Sequence, residues 1–254
     1  YAKRPGFDQI AQGMGGLMSI TGEPDGGPMR VGIPIADLTA GLFCALGILT
    51  ALVEREKSGE GQWLHTSLLQ SQAFMLDFQA ARWLMNQDVA LQVGNEHPTS
   101  VPTNRYLTQD GAVNIAVAGN ETWHRLCDAL NKPEWSKNCE YATNADRAKS
   151  RDHLNAKISD IICKKTSAEW VEILTEAGVP CGPIYKIDEM FADPQVQHLG
   201  IAQPLNTIPF GDTYALGQPI NLERTPSKLA VSPPTRGQHT LEILQEIGID
   251  SNEI

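Results

Sequence analysis

Between Val31 and Lys57 the hydrophobic rhythm of the chain changes once, and sharply. The β-branched run Val31 to Ile35 has the length of a short strand. From about Leu38 to Lys57 apolar residues then recur at helical spacing. Leu42, Leu46, Leu49 and Val53 mark one face of this helix, while Phe43, Ile48 and Leu52 make the other face apolar too. A helix of that kind is expected to be buried on most sides. Its small residues Ala40, Gly41, Ala45, Gly47 and Ala51 allow close approach by a neighbour, and Lys57, Gly59 and Gly61 stop it. Asp37 falls where the predicted strand hands over to the helix N-terminus. Backbone N–H groups and the helix dipole would hold a carboxylate there ionised and aimed. Asp is also a preferred N-cap, and most acids at such junctions do nothing else, so on spacing alone the structural role is favoured.

The same patterning divides the rest of the chain. Phe7, Ile10, Ala11, Met14 and Leu17 predict a helix from Phe7 to Met18, closed by Gly15 and Gly16, and the Gly- and Pro-rich run Thr21–Pro28 predicts a loop. Gln62 to Thr66 has strand length. Ser67-Leu-Leu-Gln70 matches a capping box and opens a helix to about Asn86 along Ala73, Leu76, Ala80 and Leu84. Strands alternating with helices define an α/β class with a parallel sheet. Two strands do not make a stable sheet of that kind, and the chain opens at Tyr1 on the turn-like Lys3-Arg4-Pro5-Gly6. It is therefore expected to continue a longer protein whose earlier strands are missing.

Residues 1–93 are thus read as one part of a large domain and 94–104, with two prolines and no periodicity, as a linker. Residues 105–184 form a small α+β domain. Arg105–Thr108 and Ala112–Val117 flank the hairpin signal Gln109-Asp110-Gly111. Three helices follow. The first is capped by Asn120 and buries Trp123, Leu126, Cys127 and Leu130; the second runs from Ala145 to Lys164 and buries Leu154, Ile158, Ile161 and Ile162. The third opens at the capping box Thr166–Glu169, buries Trp170, Leu174 and Ala177 and ends at Gly178. Val179–Ile184 closes the domain. Residues 185–254 carry helical turns started by Asp188 and by Asp193-Pro194, and irregular strands over Thr207–Leu222 with turns at Phe210-Gly211 and Gly217. A last helix holds Leu241, Leu244 and Ile247 and ends at Gly248.

Composition narrows the function classes. A length of 254 residues, 41% hydrophobic and 20% charged, is ordinary for a globular protein. The formal charge of −10 offers no basic surface to nucleic acid or an anionic membrane. No apolar run is expected to span a membrane without interruption, and no signal peptide is visible. The five cysteines are scattered and never spaced C-x-x-C, which points to reduced thiols in a cytoplasm-like compartment; the six histidines are equally dispersed and give a metal site no support.

Other candidate residues each have a bland reading beside the functional one. Asp8 lies on the first helix, where a solvated acid is the default. Gly26-Gly27 is a simple turn unless a phosphate passes near it. Gly119-Asn120 joins a strand to a helix N-terminus, a geometry that binds anions but is also how such elements are ordinarily connected. His97 precedes Pro98 in the linker, where an exposed His is expected.

Taken in order, these segments resemble the class III CoA-transferases, the family of formyl-CoA transferase, the carnitine CoA-transferases and α-methylacyl-CoA racemase. The resemblance is carried by Arg4-Pro-Gly-Phe-Asp8, Ala11-Gln-Gly-Met-Gly-Gly16, Thr21-Gly22, Asp37-Leu-Thr-Ala-Gly41 and Gly59-Glu-Gly-Gln62. It continues through Gly94-Asn-Glu-His-Pro98, Gly178-Val-Pro-Cys-Gly-Pro183, Asp193-Pro-Gln-Val196 and Gly237-Gln-His-Thr240. It implies a Rossmann-like large domain to which the C-terminal segment returns, a preceding N-terminal segment, and an interlocked homodimer. It also implies acyl-CoA and small carboxylic acids as partners, with CoA a substrate and no cofactor permanently bound. Cytoplasmic location is expected, or the mitochondrial matrix in a eukaryote. The family nucleophile matches Asp37, which would pass through a mixed anhydride to an aspartyl-CoA thioester. Asp8 matches a position that holds an acid in both branches, and Ala118-Gly119-Asn120 corresponds to a glycine-rich active-site loop, with fewer glycines. The racemase branch uses a His directly before that acid; here Phe7 stands in its place and carries no proton. The resemblance therefore implies transfer of CoA, with dicarboxylates such as succinyl-CoA and glutarate as the nearest type. Racemisation, or acyl-CoA binding without catalysis, is the alternative.

Overall fold

Residues 103–184 supply, with Val101, the main hydrophobic core. The computed structural model describes every residue except 2, 208–209, 230 and 250–254. Strands β1 (Thr103–Leu107) and β2 (Ala112–Ala116) pair antiparallel, with Leu107 opposite Ala112, as the hairpin signal predicts. A third strand, β3 (Cys181–Pro183), adds antiparallel to β2 and makes a three-stranded sheet of what the sequence shows only as a hairpin. Val113 and Ile115 point to one face and are buried.

Four longer helices, α6 (Gly119–Ala129), α7 (Asn144–Lys149), α8 (Arg151–Ile162) and α9 (Ser167–Glu176), belong to the same region. Trp123, Leu126, Cys127, Leu154, Ile158, Ile162, Trp170 and Leu174 join the sheet residues in one core. Burial pushes the Cys127 thiol up to about 12, so it is an apolar filler, and all five cysteines are free. The single helix expected over Ala145–Lys164 is divided at Ser150, and Asn120 does not cap α6. The N-cap is Ala118, and Asn120 lies in the first turn.

The Thr166–Glu169 capping box forms in both directions: Thr166 Oγ1 accepts from Glu169 N–H, and Glu169 Oε2 accepts from Thr166 N–H at 2.8 Å. That second bond holds the Glu169 carboxyl below its ordinary 4.5. The folded form thus favours the carboxylate, a stabilisation present above 4.5 and lost as pH falls through the lowered value. Thr166→Ala is expected to cost about 1 kcal/mol in urea titrations at neutral pH. Glu169→Gln should flatten the acid side of the pH–melting curve.

Residues 1–93 are helical and contain no strand among the described residues. They comprise α1 (Asp8–Met14), α2 (Leu17–Ile20), α3 (Ile35–Ser58), α4 (Leu68–Phe74) and α5 (Phe78–Asn86). The strands predicted at Val31–Ile35 and Gln62–Thr66 do not form, and with them the parallel sheet is absent from this segment. The cause is local. Neither run has a strand beside it to accept its backbone bonds, Pro34 lacks a donor, and Ile35 is taken into α3. The helix foreseen from Ser67 to Asn86 breaks at 75–77, where Asp77 adopts φ 50°, a conformation that Asp tolerates. Ser67 caps α4 as expected, but its hydroxyl donates to Gln70 Oε1, replacing the reciprocal half of the box.

Packing joins α1, α3 and α4. Gly15, which ends α1, is needed there because a Cβ would collide with the buried Gln72 amide, which donates to Gly15 O, and would lie 2.9 Å from the backbone oxygen of Ala11. The long helix α3 ends at Gly59 in the left-handed conformation, as predicted. Its burial is not as predicted: only Ala36 and Thr39 are buried, and Leu42 is 70% and Leu49 61% exposed. Among the described residues, α1, α4 and the segment around Leu64 lie against it, too little to cover two apolar faces. By length and composition α3 is also long and apolar enough to cross a membrane, contrary to the expectation that no run is.

The chain groups into two compact units, Tyr1–Ile184 and Tyr185–Ile254. The second holds α10 (Ile187–Ala192), α11 (Pro194–His198), the antiparallel pair β4 (Ala202–Thr207) and β5 (Gly211–Leu216), and α12 (Thr240–Glu246). Asp193 caps α11 through the Gln195 and Val196 N–H groups, as foreseen. Asp188 does not cap α10; Lys186 occupies that place. The strands expected from Thr207 form a regular hairpin that starts at Ala202. Positions 208 and 209 of that expectation lie outside the described residues.

Candidate active site at the start of the long helix

Asp37 is not the N-cap of α3. The cap residue is Pro34, and Asp37 is the third residue inside the helix, exposed, its carboxylate in no hydrogen bond or ion pair among the described residues. The turn that delivers it is tight. Pro34, at φ −75° and ψ 68°, is the centre of an inverse γ-turn in which Ile35 N–H donates to Ile33 O at 2.8 Å. Leu38 N–H then makes the first helical bond, to Pro34 O at 3.0 Å. A carboxylate in this first turn is favoured by the helix dipole without being a cap.

The cap comes instead from α1. Asp8 Oδ1 accepts from Ala36 N–H at 2.8 Å, and Asp8 Oδ2 accepts from Gln12 Nε2 at 2.7 Å. Asp8 is 7% exposed, which overturns its default as a solvated acid. Arg30 approaches it at 3.9 Å. Gln12, fully buried, also accepts from Val31 N–H at 3.0 Å and donates to Ile33 O at 3.3 Å. One amide and one carboxylate thus fix the path of residues 31–36. Asp8→Ala is expected to destabilise the chain by about 2 kcal/mol, since it uncaps Ala36 and leaves the buried Gln12 amide short of an acceptor. Urea denaturation of the variant checks this.

The structure brings Asp8 and Asp37 to one helix start. None of the described hydrogen bonds joins Gly119, Asn120 or His97 to Asp37. Gly119, at φ 82°, opens α6, with open space where a Cβ would stand. Asn120 Oδ1 accepts from the buried Arg147 at 3.2 Å. His97 is half-buried, correcting its expected exposure. Its Nδ1 accepts from Ser100 N–H at 3.0 Å and Thr99 N–H at 3.2 Å, its ring stacks on Phe78, and its carbonyl accepts from Arg151. Among the described residues no three His, Cys, Asp or Glu side chains converge as a metal-binding set.

Two residues escaped the sequence reading. Gln12 lies four positions after Asp8, a spacing that places both on one helix face, and this was the available signal. Pro34 was visible only as an interruption in a predicted strand.

The model of CoA-transferase family III matches residues 1–240, and the chain belongs to that family. It is 34% identical over 244 residues to a succinyl-CoA:glutarate CoA-transferase of Mus musculus, covering 96% of this chain and 56% of the relative. It is 35% identical over 247 residues to a succinate–glutarate CoA-transferase of Agrobacterium fabrum, covering 97% and 62%. The chain therefore spans a little more than half the length of these relatives. Among solved structures, a CAIB/BAIF family protein from Brucella suis is similar with a TM-score of 0.82 at 31% identity, over 97% of this chain and 64% of that one. Rv3272 from M. tuberculosis, at 20% identity and a TM-score of 0.80, over 94% of this chain and 63% of that one, shares the fold.

Proposed function

We propose that the intact protein moves CoA from an acyl-CoA donor to a carboxylic acid, with Asp37 as nucleophile. The observation that carries this is the exposed, unpartnered Asp37 carboxylate on the first turn of a helix fixed from α1. In the first step a carboxylate oxygen attacks the donor thioester carbonyl, the C–S bond breaks, and CoA leaves as thiolate from a mixed anhydride. The thiolate then attacks the aspartyl carbonyl and displaces the donor acid, leaving an aspartyl-CoA thioester. An acceptor carboxylate reverses both steps and frees Asp37. The names of the relatives support a dicarboxylate pair of the succinyl-CoA and glutarate type.

The same reading takes residues 1–93 as part of a Rossmann-like large domain, 94–104 as linker, 105–184 as the small domain and 185–254 as the return segment. It places the protein in the cytoplasm, or the mitochondrial matrix in a eukaryote, as an interlocked homodimer with the apolar faces of α3 covered by protein and not by lipid. Acyl-CoA and carboxylic acids are its partners, without nucleic acid or a resident cofactor. Asp8 serves the site by capping α3, and Gly119, Asn120 and His97 are assigned to substrate contact. Phe7, 80% exposed beside Asp8, offers no proton for racemisation. Incubating the intact enzyme with acyl-CoA and hydroxylamine should modify Asp37, and a screen of acids should identify acceptors. Turnover with Asp37 unmodified overturns the assignment. Deuterium wash-in at the α-carbon without an acceptor would indicate a racemase, and CoA binding without any exchange a non-catalytic paralogue.

A further inference from the structure

In a capping box the acid at the third position of a helix turns back and accepts the N–H of the N-cap residue, as Glu169 and Glu189 do here. Asp37 has that position, yet its carboxylate is unbonded. The reason lies in what surrounds it. Pro34, the N-cap, has no N–H to offer. Ile35 N–H is held by Ile33 O in the γ-turn, and Ala36 N–H is held by Asp8 Oδ1. Asp8 is kept in place by Gln12, whose amide fits in one orientation only. Its oxygen faces Val31 N–H, while its nitrogen faces two acceptors, Asp8 Oδ2 and Ile33 O.

We propose that Pro34, Asp8 and Gln12 are positioning residues that withhold the capping donors of α3 from Asp37, keeping its carboxylate lone pairs free for attack. The helix remains capped, but by an acid imported from α1 and not by its own first-turn acid. A backbone N–H donated to the carboxylate stabilises its charge in the ground state more than in the attacking transition state, where that charge is being spent on the new bond, so self-capping would raise the barrier. This inference rests on the reading of Asp37 as nucleophile and adds the device that keeps it reactive.

The test uses the intact enzyme with Pro34→Ala and Pro34→Ser. Alanine restores the missing N–H; serine restores it and adds a hydroxyl that completes a capping box. Both are expected to lower kcat about tenfold, the factor that one capping hydrogen bond represents, with the KM for the acyl-CoA donor unchanged and the melting temperature equal or higher. Hydroxylamine labelling of Asp37 should slow in parallel, and a crystal structure of either variant should show the Asp37 carboxylate accepting from residue 34 N–H. Parental kcat and labelling rate in both variants would overturn the proposal. So would a loss of activity matched by a loss of thermal stability or by a change in KM. If Asp37 in the parent enzyme takes no label while exchange proceeds, the nucleophile reading itself falls and this inference with it.

Discussion

Asp37→Ala in the intact protein is expected to lower CoA exchange by about four orders of magnitude, with the melting temperature almost unchanged. The two halves of that expectation have separate origins. Asp37 is exposed and bonded to no described residue, so its removal leaves no buried group unsatisfied. Chemically nothing replaces it: without a carboxylate there is no anhydride, and the CoA thiolate has no acyl group to return to. Asp37→Asn keeps the shape and removes the charge, so it should be nearly as inactive. The measurement is the rate of label exchange between CoA and the acceptor acid, beside a thermal melt. Exchange within tenfold of the parent rate would overturn the mechanism. A large loss of stability would mean that Asp37 holds the helix after all.

Asp37 was legible as a candidate, though for a reason that was half wrong. The sequence places an acid where a helix begins, and the structure agrees; the strand and the capping role attached to it do not survive. A β-branched run such as Val31–Ile35 records a preference for strand, but with no strand beside it the segment stays largely exposed and is held by Gln12 through Val31 N–H and Ile33 O. Residues 103–184 were far more readable, because Trp123, Leu126 and Cys127, the hairpin turn and the Thr166 box are each satisfied by neighbours inside the same stretch. On α3 the apolar pattern was read correctly, but what covers an apolar face is a property of other elements, and Leu42 and Leu49 remain exposed here. Asp8 illustrates the converse. Nothing in the spacing of a lone acid reveals that an amide 28 positions further on will point at it.

The largest stability effect is expected at Arg147, which sequence reading passed over. Its side chain is fully buried, and no acid lies within ion-pair distance among the described residues. Nε donates to Val101 O at 2.7 Å, and Nη1 donates to Tyr141 O at 3.0 Å and to Asn120 Oδ1 at 3.2 Å. The guanidinium lies 5.3 Å from the Trp123 ring centroid, and Nη2 has no hydrogen-bond partner among the described residues. Burial pulls its pKa below the ordinary arginine value, so the cation is held at some expense. Arg147→Met relieves that expense but leaves two buried backbone carbonyls, Val101 O and Tyr141 O, without donors, whereas the oxygen of the exposed Asn120 can turn to water. Two orphaned buried carbonyls outweigh one desolvated cation that already shares a ring face, and a net loss of about 3 kcal/mol is expected in urea. Arg147→Lys should fare no better: it keeps the charge, but its single ammonium lacks the planar fork that reaches all three acceptors. The start of α6 is tied down through Asn120, so the amides around Gly119 should lose hydrogen-exchange protection in both variants before the core does. A methionine variant as stable as the parent would show that the cation's desolvation cancels its three bonds, and that Arg147 is retained for how it fixes Asn120.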